Sequence, residues 1–540
     1  MKKVKMRLIA LCLVLCIALS GCNGLDFGGY FENLYAYLFG TTSFDSMEYV
    51  RPDMEAYDAA LQSICDLAVT ETDIDALIDG IWAYYDVYDA FSTAYALANI
   101  HYCLDMTDSY WEAEYNFCAE NAATADAGLD ALYRSLAKSP IREALETDEY
   151  FGAGFFDYYE SESVYDETFL AYLEEEAGLI SEYYAISADA ADTEYYSEEF
   201  FTTYAPKLAE LYLQLLQVRV EMAAYLGYDS YETFAYDFYY YRDYTPQQAQ
   251  SYLASIQKEL SPLYKELSID DRWQTAITAS SEAETFSYVQ SMAENMGGAI
   301  EDAFDVLDEG HLYDISYSPN KYATSFAVYL PSYYVPFVFV CPDGSNYDRL
   351  VFAHEFGHFC SDYHSYGSVA GVDVAEIFSQ GMEYLSLCYA DGGNDLAKIK
   401  MMDCLCLYVE QAALASFEQQ VYALSSEELT VENVEALYTA VCEDFGLATG
   451  AWDSRSYVCI PHYFTNPMYV ISYVVSNDAA LQLYEMELQQ EGKGLACLES
   501  NLTTMQSYFL SFLEEAGLES PFEAGRLEKV RQLLETQLIG

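Results

Sequence analysis

His354-Glu355-Phe356-Gly357-His358 is a run whose residue types and spacing can do chemistry. On a helix, residues four apart lie on one face, so both imidazoles can reach a single metal ion. Glu355 sits beside them, where a carboxylate can take a proton from water that the metal has acidified. The chain has only six histidines among 540 residues. Two at this spacing around a glutamate are expected by chance in fewer than about 0.01 chains of this length. A catalytic metal of this kind needs three protein ligands and an open position. The third ligand is expected downstream, on a separate element. Two carboxylates compete for it, Glu376 and Glu383, within the stretch from Asp373 to Glu383. Spaced seven apart, they share one helix face, and either can point at the site. Asp362, His364 and Asp373 are weaker choices, because they are expected in the loop that connects the two helices.

Several separated blocks then carry a resemblance. His354-Glu355-Phe356-Gly357-His358, Ala375-Glu376-Ile377-Phe378-Ser379-Gln380-Gly381-Met382-Glu383 and Ile460-Pro461-His462-Tyr463-Phe464-Thr465-Asn466-Pro467-Met468-Tyr469-Val470-Ile471-Ser472-Tyr473 resemble blocks of the thimet oligopeptidase and oligoendopeptidase F group of zinc metallopeptidases. Val218-Arg219-Val220-Glu221-Met222-Ala223-Ala224-Tyr225-Leu226-Gly227-Tyr228 looks like a structural helix of the same group, and the segment ending in Val335-Pro336-Phe337-Val338-Phe339 like its strand region. The likeness spans roughly residues 205 to 480, and the first lobe shares only its helical character. The resemblance implies one Zn²⁺ per chain on His354, His358 and Glu376, with Glu383 orienting a ligand histidine. It implies Glu355 as general base and His462, Tyr469 and Tyr473 as contacts for substrate and the developing oxyanion. The implied fold is mainly α, with two helical lobes flanking a deep channel and a small β-sheet beside the zinc helix. Two departures stand out. Ser361 replaces a further histidine found in many members, and only 17 residues separate His358 from Glu376.

The elements that must position these residues are mostly helical. Apolar residues recur at helical spacing from Pro52 onward, with further segments over 70–104 and 107–136. An amphipathic helix is expected over Leu208–Tyr228, stopped by Gly227. Another opens at Thr245-Pro246-Gln247-Gln248, with Thr245 as N-cap, and runs to about Glu266. The strand-like region is Lys321–Cys341, interrupted by Pro331 and Pro336. A sheet edge just before the metal helix is suited to holding an extended peptide through backbone hydrogen bonds. The 55 tyrosines are expected to be mostly half-buried rings with wet hydroxyls.

At the N-terminus, Lys2, Lys3, Lys5 and Arg7 precede a short apolar run and Leu19-Ser20-Gly21-Cys22. This resembles a bacterial lipoprotein signal cleaved before Cys22, which would carry the lipid. The apolar run is too short to span a bilayer. The expected organisation is a signal over 1–21, a tether over 22–49, an N-terminal helical lobe over 50–200 and the catalytic region over 201–540. The location would be the outer face of the bacterial cell membrane, with the lipid as the only membrane contact. The signal takes four of 23 basic residues and no acids, leaving 19 against 88 acidic residues. So acidic a chain lacks the basic footprint that nucleic acid requires. Eleven cysteines would remain after the signal and Cys22, without a compact disulfide framework. His101 and His311 have no partner motif and are expected to be structural.

The expected activity is cleavage of internal bonds in short peptides. One alternative is a metallocarboxypeptidase on a similar scaffold, with Arg455 as the nearest basic anchor for a terminal carboxylate. Another is a non-catalytic peptide-binding lipoprotein, against which the intact Glu355 stands.

Overall fold

Aspartate caps open four of the long helices that precede the site. The computed structural model describes residues 43–147, 150–190, 193, 196–267, 276–367, 371–447, 452–504 and 506–539. The signal, Cys22 and most of the expected tether lie outside the described residues. Helices α1 (Met54–Thr70), α2 (Ile74–Leu104), α3 (Ser109–Ala137) and α4 (Glu167–Asp189) begin at Asp53, Asp73, Asp108 and Asp166. Each carboxylate accepts first-turn backbone N–H groups. Part of the chain's acidity is therefore structural. The apolar face of α1 (Ile64, Ala68) meets Leu77 and Ile81 of α2 and Leu132 and Leu136 of α3.

Helix α5 runs over Ala205–Tyr225 and ends short of the expected Tyr228. Gly227 adopts φ 85°, and N–H groups of Gly227 and Tyr228 close on Ala224 and Ala223. Thr245 caps α6 (Pro246–Glu259) with the reciprocal Gln248 contact. The helix does not reach Glu266 unbroken. A separate helix, Ser261–Leu267, follows, because Pro262 cannot supply the N–H that continuation needs. Helix α7 spans Glu282–Met296.

The sheet is small. Strands β1 (Tyr313–Asp314), β2 (Phe326–Leu330) and β3 (Val335–Phe339) order as β1-β3-β2. β2 and β3 pair antiparallel from Phe326 with Phe339 to Leu330 with Val335, while β1 lies parallel to β3. β1 falls before the expected strand region. Val338 and Val340 donate toward the β1 side, to Leu312 and Asp314. Pro336 shares that side but precedes the part β1 reaches, so its missing N–H costs no ladder bond. β2 is an edge, and β3 is buried throughout and packs against the next helix.

That helix is α8 (Asp348–Ser365), followed by α9 (Val372–Tyr389), α10 (Gly393–Cys406), α11 (Ala412–Val421), the short α12 (Pro461–Thr465) and α13 (Val470–Gln489). α9 packs on both α8 and α13. α13 buries Ser472, Ser476, Asn477 and Asp478, and each is paired. Asp478, for example, accepts Arg526 Nε at 2.7 Å and Tyr408 OH at 3.3 Å. Tyrosines are deeper than expected. Tyr57, Tyr84, Tyr384 and Tyr463 are fully buried, with hydroxyls bonded internally, such as Tyr384 to Asn477 and Tyr463 to the Leu414 carbonyl.

The described residues fall into two compact units. The smaller joins residues 43–47 to Glu309–His311, where Phe44 N–H donates to Gly310 O and His311 Nδ1 meets Asp45 at 3.1 Å. The larger contains every helix and strand labelled above. All eleven described cysteines are free thiols. No helix among the described residues is long and apolar enough to cross a membrane.

Candidate metal centre and active site

His354 and His358 lie one turn apart on α8, with ring centroids 5.0 Å apart. The opposing helix α9 can approach because the intervening residue is Gly357. A Cβ there would stand 2.6 Å from both Phe378 O and Ser379 Cα. The glycine lets the two backbones touch, and this contact brings Glu376 level with the histidines. Glu376 Oε2 lies 3.4 Å from His354 Nε2, and Oε1 lies 3.7 Å from His358 Nε2. Two ligand atoms on a tetrahedral divalent ion, each about 2.1 Å away, stand about 3.4 Å apart. The His354, His358 and Glu376 donor atoms, all within 4.8 Å of one another, fit one such ion. Glu376 is buried, whereas the histidine side chains are 19% and 18% exposed. The open side of the centre is therefore on the histidine face.

Glu383, the other carboxylate left open by the spacing, faces the far edge of the ring. Its Oε1 lies 2.8 Å from His354 Nδ1. Because the carboxylate accepts, Nδ1 holds a proton whatever the charge of the ring, and Nε2 is the nitrogen turned to a metal, which would displace any proton there. Glu376 itself is aimed by two hydroxyls, Tyr469 at 2.5 Å and Ser379 at 2.9 Å.

The charges divide sharply. Burial works against a proton on His354, but its bond to Glu383 and the nearby carboxylates outweigh it and push the ring up to about 9. Burial takes His358 down to about 4 despite Glu376. Burial pushes Glu355 up to about 8, partly offset by His354. Glu383 is held below the usual range, since Lys400 and His354 together outweigh its burial. The Glu355 Oε2 atom is buried with no hydrogen-bond partner. A bare buried carboxylate oxygen costs roughly 1–3 kcal/mol or more. Beside a metal-ligand cluster, it is placed for a water or substrate proton.

On the other side, His462 of α12 stands 3.0 Å by Nε2 from Tyr473 OH, with Tyr469 and Tyr473 rings 5.4 and 5.5 Å from its own. Burial takes His462 down to about 4, so it is neutral near pH 7. Arg219 holds this block. Its guanidinium is fully buried and donates to the carbonyls of Tyr463 at 2.8 Å and Phe464 at 2.5 Å and to Glu176 at 2.6 Å. The turn into Tyr469 is held by Tyr240, whose OH donates to Pro467 O, and by Glu418, which accepts Met468 N–H at 2.6 Å. Met468 adopts φ 64°, a conformation that a side chain rarely takes without such anchoring.

The structure thus brings His354, Glu355, His358, Glu376, Glu383, His462, Tyr469 and Tyr473 together. It does not bring Asp362, His364 or Asp373 to the candidate donor set, and all three are on helices rather than in a loop. Asp373 pairs with Arg242 at 3.2 Å, and His364 Nε2 with the Ala299 carbonyl at 2.9 Å. His101 stacks on Trp111, and Arg455 is held by Asp453 at 2.8 Å. Sequence reasoning missed Arg219, Arg242, Lys400 and Glu418. The available signal was a lone charge within an apolar helical run, as with Glu418 after Ala412-Ala413-Leu414-Ala415-Ser416-Phe417.

A family model for the Peptidase M3 N-terminal domain matches residues 44–164. This is the lobe in which the blocks gave no likeness beyond helicity, so the family signal extends to a part of the chain where the motifs were silent. No curated protein sequence matches. Three solved structures share the fold. A 3.1 Å X-ray structure assigned as oligoendopeptidase F gives a TM-score of 0.82 at 21% identity, covering 92% of this chain and 99% of that one. PZ peptidase A with an inhibitor gives 0.82 at 20%, covering 92% and 99%. A structure assigned as oligoendopeptidase F from Bacillus anthracis gives 0.79 at 20%, covering 92% and 98%. The chain thus matches the Peptidase M3 N-terminal domain over its first lobe and shares the fold of the oligoendopeptidase F structures over nearly its whole length.

Proposed function

We propose that this chain is a zinc-dependent endopeptidase that cleaves internal bonds of short peptides. The observation that carries the reading is Glu355 Oε2, buried and unpartnered beside the His354, His358 and Glu376 donor set. Two histidines and a glutamate are a donor set suited to catalytic zinc. When bound, zinc supplies a Lewis acid for the scissile carbonyl and lowers the pKa of coordinated water.

The chain's own groups do the rest. Glu355 takes the proton of the attacking water and delivers it to the leaving nitrogen. The neutral His462 can donate from Nε2 to Tyr473 O, which frees the tyrosine proton to point at the developing oxyanion. A well-placed donor of this kind contributes about 3–4 kcal/mol. Tyr469 is already committed to Glu376 and acts first on the carboxylate. The edge of β2 offers backbone groups to an extended substrate. Arg455 is engaged by Asp453, which weighs against its serving as anchor for a free C-terminal carboxylate.

A lipid-anchored, extracytoplasmic location rests on Leu19-Ser20-Gly21-Cys22 alone. Cys22→Ala should then move the protein out of the membrane fraction.

The test is zinc content with hydrolysis of a short-peptide library by wild type and Glu355→Gln, products read by mass spectrometry. Internal cuts, and a variant that keeps zinc but loses activity, support the reading. Release of single C-terminal residues would replace endopeptidase by carboxypeptidase, and an inactive wild type would leave a peptide binder.

A further inference from the structure

Lys400 is a buried charge that peptide cleavage itself does not use. None of its side chain is exposed. Its Nζ lies 2.7 Å from Glu383 Oε2 and 2.8 Å from Asp403 Oδ2, with the Tyr384 ring 4.7 Å away. Asp403 Oδ1 in turn accepts from Tyr347 OH at 2.7 Å. Tyr347 is the residue that precedes the first turn of α8. A bonded path therefore leaves α8 at His354, crosses Glu383 on α9, then Lys400 and Asp403 on α10, and returns to the start of α8.

A buried ammonium is strongly unfavourable unless it is paired, and breaking one partner leaves an uncompensated charge. Here one ammonium is shared between two carboxylates. One of them is the group that accepts from His354 Nδ1 and so turns Nε2 to a metal. Without Lys400, Glu383 and the partly exposed Asp403 would be left as like charges with no cation between them. Glu383 would be pushed off the imidazole, and both the tautomer and the orientation of His354 would be lost.

We infer that Lys400 is a positioning residue of the metal centre, holding Glu383 on His354 Nδ1 and thereby tightening metal binding at His354 Nε2. The inference rests on the zinc-peptidase reading above. Outer partners of metal-binding histidines typically set affinity by about 10–100-fold.

The experiment measures Zn²⁺ affinity of the full chain by competition with a chromophoric chelator, with circular dichroism as the check on folding. Lys400→Met is expected to bind zinc about 10–100-fold more weakly with the helical spectrum kept. In a Glu383→Gln background the same change should add less than about twofold, because its route to the metal is already cut. Lys400→Gln, a milder change, should weaken binding at least about fivefold. Wild-type affinity in Lys400→Met, or equal losses in both backgrounds, would overturn the inference. So would collapse of the fold in both Lys400 variants, which would make the residue purely structural. A wild type that binds no zinc would instead overturn the functional reading on which this rests.

Discussion

On the metal-holding side, charges are fixed by other charges through side chains: His354 by Glu383, Glu383 by Lys400, Lys400 by Asp403. On the side proposed to face substrate, His462, Tyr469 and Tyr473 carry no charge near neutral pH, and main-chain bonds aim the segment that bears them. Arg219 grips two carbonyls behind His462, and Glu418 and Tyr240 grip the turn before Tyr469. The difference teaches how the two jobs are separated. A metal needs fixed donors of known protonation, whereas an oxyanion that appears only during reaction needs neutral donors held in place beforehand. Glu355, with its unpartnered oxygen, lies between the two sides.

The largest expected effect comes from breaking that link. Glu355→Gln should lose about 10²–10⁴-fold in kcat while zinc content by atomic absorption stays at the wild-type level. Next, His462→Ala and Tyr473→Phe should each lower kcat by about 10²-fold or more with metal affinity unchanged. Tyr469→Phe should lower both, because its hydroxyl is bonded to Glu376. If all three left metal affinity alone, or all three reduced it, the division between the two sides would fail.

A third prediction concerns the support of the substrate-facing side. Burial pushes Glu418 up to about 8, against an unfolded value near 4.5. Below about pH 4.5 both states hold the proton, and between about 4.5 and 8 only the folded state keeps it. This group therefore stabilises the fold at low pH, and its contribution is lost as pH rises through about 8. Glu418→Gln should flatten the fall in unfolding free energy between pH 5 and pH 8, by an amount on the order of 3 kcal/mol, as read by denaturant unfolding at each pH. Parallel curves for wild type and variant would show that Glu418 is already ionised in the fold. The smallest effect is expected for Gly357→Ala, at about 1–3 kcal/mol of stability from the enforced separation of α8 and α9. Denaturant unfolding would measure it, with weaker zinc binding as its companion.

His354, Glu355 and His358 were legible because their spacing on one helix is local. The choice between Glu376 and Glu383 was not. Seven residues put both on one face, about 10.5 Å apart along the helix. Which of them meets the imidazole Nε2 atoms depends on where α9 crosses α8, and the Gly357 contact with Phe378 and Ser379 sets that crossing. Arg219 and Lys400 were illegible for a related reason, since the partners through which they reach the site, the Tyr463 and Phe464 carbonyls and Glu383, lie on other elements. Arg219 reaches carbonyls more than 240 residues away, and no periodicity records such a bond. The break at Pro262 could have been read, because proline there removes the next helical donor.

The most direct test of the central claim is an anomalous difference map at the zinc absorption edge from crystals grown with zinc. One peak is expected, about 2.0–2.2 Å from His354 Nε2, His358 Nε2 and a Glu376 oxygen, with Glu383 on the Nδ1 side of His354. A peak coordinated by Glu383 instead, or no peak among these residues, would contradict it.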